Sequence, residues 1–228
     1  GDDVVSGSGS SLTISNTTEN AYHVFITTGI NSTTLIDGFT VKGGNADGSS
    51  SISYAGNTFF RNSGGGMFND SSSPSISNST FSGNIANFDG GGMYNDDSSP
   101  SISNNTFSEN TAYTGGGMYN RSSSSPNIVN STFSGNAASF GGGTYNLSSS
   151  PSITNTFFNE NVATGDGGGM YNDNSSTSIS NSIFSGNVAY LGGGMLNYFS
   201  SPNINNTVFY GNTATTGSDI NGSIDNTS

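Results

Sequence analysis

Residues 115–140 read GGGMYNRSSSSPNIVNSTFSGNAASF, and at Gly141 the same pattern starts again. Gly triplets begin at Gly64, Gly90, Gly115, Gly141, Gly167 and Gly192, at steps of 26, 25, 26, 26 and 25 residues. Each triplet leads into a near-constant tripeptide, from Met67-Phe68-Asn69 and Met93-Tyr94-Asn95 through Met118-Tyr119-Asn120, Thr144-Tyr145-Asn146 and Met170-Tyr171-Asn172 to Met195-Leu196-Asn197. A fixed period with no drift in phase is the mark of a stacked repeat.

Two further segments keep the same period. Ile76, Ile102, Ile128, Ile153, Ile179 and Ile204 are each followed two residues later by Asn78, Asn104, Asn130, Asn155, Asn181 and Asn206. Phe59, Phe81, Phe107, Phe133, Phe158, Phe184 and Phe209 each have an Asn three residues on, and the last six of those Asn are followed two residues later by Ala. The five prolines, Pro74, Pro100, Pro126, Pro151 and Pro202, all precede the Ile by two residues. That place suits the start of a strand, where a missing N–H costs least.

A helical repeat would need apolar residues at i, i+3, i+4 and i+7 and would avoid Gly, Ser and Asn. Here each repeat holds three short apolar-centred stretches separated by turn formers. The pattern predicts an all-β, right-handed parallel β-helix with three short strands per coil of 25–26 residues and about eight coils. If each coil climbs one inter-strand spacing of about 4.8 Å, like residues lie above one another and a single Phe per strand becomes a column. Residues 1–50, with His23-Val24-Phe25-Ile26 and Leu35-Ile36-Asp37-Gly38-Phe39-Thr40-Val41, read as entry coils or a cap; 51–216 as the repeated coils; 217–228 as a polar terminal segment.

Stacking also accounts for the composition. Only 30% of the 228 residues are hydrophobic and 34 are Gly, which alone would suggest disorder. Yet 15 Phe and 10 Tyr stand among only 8% charged residues, and something must order those rings. Columns of Phe81, Phe107, Phe133, Phe158, Phe184 and Phe209 would form a thin core, each buried ring contributing roughly 2–3 kcal/mol. Asn78, Asn104, Asn130, Asn155, Asn181 and Asn206 are expected to form amide ladders at the bends.

The Gly-Gly-Gly-Met-Tyr-Asn and Phe-x-x-Asn motifs resemble the paired GGA(I/L/V) and FxxN repeats of polymorphic outer membrane proteins, and more broadly the bacterial and archaeal surface proteins with pectate-lyase-like β-helices. Ile36-Asp37-Gly38-Phe39-Thr40-Val41 resembles the entry coil of such folds, so the likeness spans about residues 35–215. The resemblance implies surface exposure and attachment, hence an extracellular or cell-surface location.

Three Lys and Arg against 15 Asp and Glu give a net charge of −12, the wrong sign for nucleic acid or an anionic membrane surface. No apolar run reaches membrane-spanning length, and without Cys there are no thiolate ligands or nucleophiles. Polysaccharide lyases and glycosidases on this fold would need clustered carboxylates and a base. Asp96-Asp97 and Asp2-Asp3 are the adjacent acidic pairs, Arg61 and Arg121 fall in different coils, and His23 has no informative partner. No catalytic residue, metal site or cofactor is expected. Asp70, Asp96, Asp97 and Asp173 read as solvated turns.

If the Met side chains point inward, alternation turns Tyr94, Tyr119, Tyr145 and Tyr171 outward as an exposed aromatic stripe able to stack on sugars or on another rod. The leading expectation is a non-enzymatic extracellular stalk, adhesin module or filament subunit that assembles end to end, with a glycan or cell-surface partner. Its rival is a carbohydrate-binding or polysaccharide-cleaving module. A remoter one is an ice-binding face built on Ser75, Ser77, Ser101, Ser103, Ser152, Thr154, Ser178 and Ser180, where Thr would serve better than the prevailing Ser.

Overall fold

A computed structural model describes residues 22–54 and 56–224, with Tyr54 described by its backbone alone. Asp2-Asp3 and the first 21 residues of the expected entry coils or cap lie outside the described residues. The chain forms an all-β solenoid of three parallel sheets, and among the described residues no helix occurs.

The first sheet stacks eight strands from Phe25–Thr28 through Met67–Asp70 to Ile220–Asn221. The second stacks seven around the Ile column from Leu35–Asp37 to Asn203–Asn205, and the third seven around the Phe column from Thr40–Lys42 to Val208–Tyr210. Seven stacked strands make about six full turns, fewer than the eight coils expected. At about 4.8 Å per turn the repeats rise roughly 29 Å. A short fourth ladder follows the Ala column at one corner, as in Ala138 against Ala163 and Ala189 against Ala214.

Register is that of the repeat: Met93 pairs with Met118, Ile102 with Ile128 and Phe107 with Phe133. Met, Ile and Phe side chains fill one continuous interior. The Phe rings stack nearly parallel, with centroids 4.8, 4.7, 4.9, 4.4 and 4.7 Å apart from Phe81 to Phe209. The Gly triplets make the tight corner. Gly115 sits at φ 63, and a Cβ on Gly117 would come within 2.6 Å of the Gly143 carbonyl oxygen of the next coil.

In the column expected to form an amide ladder, Asn155 donates to Asn130 Oδ1 at 3.1 Å, but the continuous ladders lie in other columns. Asn78, Asn104, Asn130, Asn155, Asn181 and Asn206 all take φ between 44 and 57 and turn their side chains to solvent. They are corner residues, used because Asn tolerates the left-handed region better than other non-Gly types. The buried ladders are those of Phe-x-x-Asn and Met-Tyr-Asn. Asn136 donates from Nδ2 to the Phe107 carbonyl at 2.9 Å and to Asn161 Oδ1 at 2.9 Å, while its Oδ1 accepts from the backbone and side-chain N–H of Asn110, both at 3.0 Å. Asn95, Asn120 and Asn146 form the parallel chain, each donating to the next at 2.8 Å and 2.8 Å. Every member is satisfied, which is what makes a buried polar column tolerable.

Ser does the same at the bends. The backbone N–H of Ser72 donates to Ser98 Oγ and that of Ser98 to Ser124 Oγ, both at 2.9 Å. This is why a Ser-rich chain needs so few apolar residues. One position breaks the interior: Thr144 stands in the Met column, fully enclosed, and its Oγ1 has no partner.

The first coil is longer than the rest, since Ile36 pairs with Ile76 and Val41 with Phe81. The extra length is an antiparallel hairpin, Ser51–Tyr54 with Asn57–Phe60, so residues 51–60 do not open the repeats as expected. Phe59 accordingly leaves the Phe column, whose place Val41 takes. At the other end Met195 pairs with Ile220, so the terminal segment continues the first sheet as far as Asn221.

Candidate functional site

The outer face of the first sheet carries the aromatics. Met67, Met93, Met118, Met170 and Met195 are buried in the interior, and alternation turns the following residue outward. Phe68, Tyr94, Tyr119, Tyr145 and Tyr171 form a second ladder, with centroid spacings of 4.5, 5.5, 5.4 and 4.7 Å.

The stripe is not uniformly exposed. Tyr94 is 1% and Tyr119 6% accessible, while Tyr145 and Tyr171 are half-buried. Tyr94 and Tyr119 are thus not exposed as expected: they join Phe68 and the hairpin residue Phe59 in one buried cluster. Phe59 packs edge-on against Phe68 at 5.4 Å, and with Ile52 it closes that end of the ladder into a second apolar cluster. His23 stacks edge-on against the same Phe68 at 5.5 Å, its Nδ1 lying 3.0 Å from the Gly64 carbonyl.

Two columns flank the tyrosines. On one side Asp70, Asp96 and Arg121 stand in register on successive coils. Arg121 Nη2 reaches Asp96 Oδ2 at 2.9 Å, and its guanidinium carbon lies 5.8 Å from the centre of the Tyr94 ring. Sequence separation had set Arg121 apart from any acidic partner, but one period of separation is one rung of the sheet. Asp96 is therefore an ion-pair residue, while its neighbour Asp97 sits exposed at a corner with φ 48. On the other side Asp89 is bridged to Thr114, which donates its hydroxyl to Asp89 Oδ1. Farther along, the Tyr145 hydroxyl donates to Asp173 Oδ2 at 3.2 Å.

Electrostatics follow from burial in this trough. Burial raises the Asp89 carboxyl above its ordinary value, against the opposing pull of Thr114 and Arg121. Asp70 is raised by burial and then by Asp96 beside it. Burial pushes all four tyrosines up, Tyr171 least, to about 12.

Where the hairpin meets the ladder a cavity of about 170 Å³ opens, lined by Phe60, Asn62, Ser63, Phe88, Asp89, Tyr94 and Arg121. Phe60 and Phe88 are 41% and 55% accessible and form its lips, and Tyr94 its floor. The Phe88 backbone N–H donates to the Asn62 carbonyl at 2.8 Å, tying hairpin to coil. Of these residues Tyr94 alone was expected in a binding site. The available signal was the break in phase: Phe59 precedes Phe81 by 22 residues where the period is 25 or 26, which marks an insertion. Among the described residues no three His, Asp or Glu side chains converge as a metal-holding group.

A family described as a right-handed β-helix region matches residues 1–158, more than half of the 228-residue chain. No curated protein and no solved structure matches it. Stacked parallel coils, in-register columns and this match together place the chain in the right-handed β-helix family.

Proposed function

We propose that this chain is a non-catalytic, extracellular rod segment, a stalk or adhesive module, and that its kinship within the β-helices is with the surface proteins of the polymorphic outer membrane repeat type. The observation that supports this is the use to which polar side chains are put. Asn, Ser and Thr residues that could serve chemistry are spent coil after coil on ladders that join one rung to the next. Such construction favours length and rigidity. Stiffness along the axis comes from continuous main-chain and side-chain hydrogen bonding, as in other solenoids whose repeats contact only their neighbours.

The last rungs of the second and third sheets leave Ile204 and Phe209 half-buried, and a further parallel rung would extend both columns. End-to-end self-association is the assembly such an edge permits. Sedimentation velocity over a hundredfold range of concentration tests it: a single slow species throughout removes assembly from the proposal. The non-catalytic reading is tested by incubating the protein with neutral and acidic polysaccharides and measuring reducing ends and unsaturated products. No release above the blank is expected, and steady release from any of them overturns the reading.

A further inference from the structure

We infer that the cavity between the hairpin and the tyrosine ladder is a binding site for one uncharged pyranose unit, such as the terminal residue of a neutral glycan. This rests on the rod reading for its biological sense, since it names what an adhesive rod would grip, but the chemistry of the site stands apart from it.

The cavity of about 170 Å³ has the size of a small ring and not of an oligosaccharide. Its walls combine the two surfaces that a sugar needs. Phe60 and Phe88 offer accessible aromatic faces for the C–H face of the ring, and Tyr94 closes the floor. Asn62, Ser63, Asp89 and Arg121 put donors and acceptors around the same space for ring hydroxyls. Two of these polar groups are held in place before any ligand arrives: Asp89 by Thr114, and Arg121 by Asp96 and the Tyr94 ring.

Charge sets the class of sugar. One guanidinium faces three carboxylates, Asp70, Asp89 and Asp96, in a chain of net charge −12. Arg121 is already committed to Asp96, so a uronic acid would meet repulsion without a compensating cation. A neutral ring escapes that penalty.

The test uses the whole chain and the methyl glycosides of glucose, galactose and mannose, with galacturonic acid and glucosamine as charged controls, followed by saturation-transfer NMR and by titration of tyrosine fluorescence. At least one neutral glycoside should bind, more tightly than galacturonic acid. Phe88→Ala should weaken it about tenfold or more, the scale of one lost aromatic contact. Phe88 is 55% accessible, so its removal leaves the fold intact. Arg121→Gln should weaken it as well, while Tyr171→Ala, two coils beyond Tyr119, should leave it within about twofold. Absence of binding by every neutral glycoside, equal binding by the Phe88 variant, or preference for galacturonic acid would each overturn the assignment. Binding accompanied by cleavage of a capped neutral oligosaccharide would keep the site and remove the non-catalytic rod.

Discussion

Two aromatic ladders run along this molecule, one inside and one outside, and they have nearly the same spacing. From Phe81 to Phe184 the inner rings are fully buried, and their stacking is nearly parallel throughout. The outer ladder is graded: Phe68 and Tyr94 are 1% accessible, and Tyr145 and Tyr171 are half-buried. Stacking follows from the repeat and is common to both. The hairpin adds cover at one end of the outer ladder, over Phe68, while Leu196, next in the column after Tyr171, is 5% accessible without it, so the ends of the rod differ in what encloses them although their repeats do not.

The comparison predicts unequal costs for equal truncations. Phe133→Ala should lose about 3–5 kcal/mol in denaturant unfolding, the range for a ring deleted from a closed core. Tyr145→Ala should lose only about 1 kcal/mol, since its ring is half in water already. Similar losses from both would mean that the outer ladder is as structural as the inner one.

The two kinds of Asn column offer the next test. Asn136→Ala leaves the Phe107 carbonyl and the Asn110 N–H groups without their partner and should cost about 1–3 kcal/mol. Asn130→Gly, at a corner with φ 50, should be within about 0.5 kcal/mol of neutral. If chemical denaturation ranked them the other way, the corner Asn would be the true ladder.

Within the inner column, Thr144→Met should stabilise by about 1 kcal/mol by removing a buried hydroxyl that has no partner and restoring the Met of neighbouring coils. A lower midpoint in a thermal melt would show that the Met118 and Met170 side chains have already filled the space.

The smallest effect separates the ladders by pH, because the described carboxyls raised by burial, Asp70, Asp89 and Asp166, lie on the side of the outer one. Asp70, Asp89 and Asp166 have folded-state values raised above 3.8 by burial, so the folded chain takes up protons more readily than the unfolded one. Their contribution to stability is fully present below pH 3.8 and is lost as the pH rises through the folded values. Asp37, held lower by Ser77 and Asn78, runs the opposite way, but its loss begins only below that window. The melting temperature should therefore rise slightly from pH 7 to about pH 4, and Asp89→Asn should flatten the rise. A midpoint that falls over this range would contradict the burial of these carboxyls.

Much of this architecture is legible in the sequence because stacking converts period into contact. Ile102 over Ile128 and Phe107 over Phe133 needed only the count of residues between them. The same count applied to charges puts Asp96 beside Arg121, a pairing missed when charges are read along the chain instead of across it. What period cannot convey is the direction in which a side chain points at a corner. Asn78 and Asn84 repeat equally well, and only the backbone, left-handed at Asn78, sends one amide to solvent and the other to the interior.

By itself, then, the order of residues determined the coil, its columns and its register, since identical rungs must stack identically. The tertiary structure alone decided how the interruption packs: the strands Ser51–Tyr54 and Asn57–Phe60 fold back over Phe68 and leave a lipped cavity beside Tyr94 and Arg121. An insertion shows in the sequence as a break in phase but has no partner one period away, so its packing depends on the surface that the finished coils present.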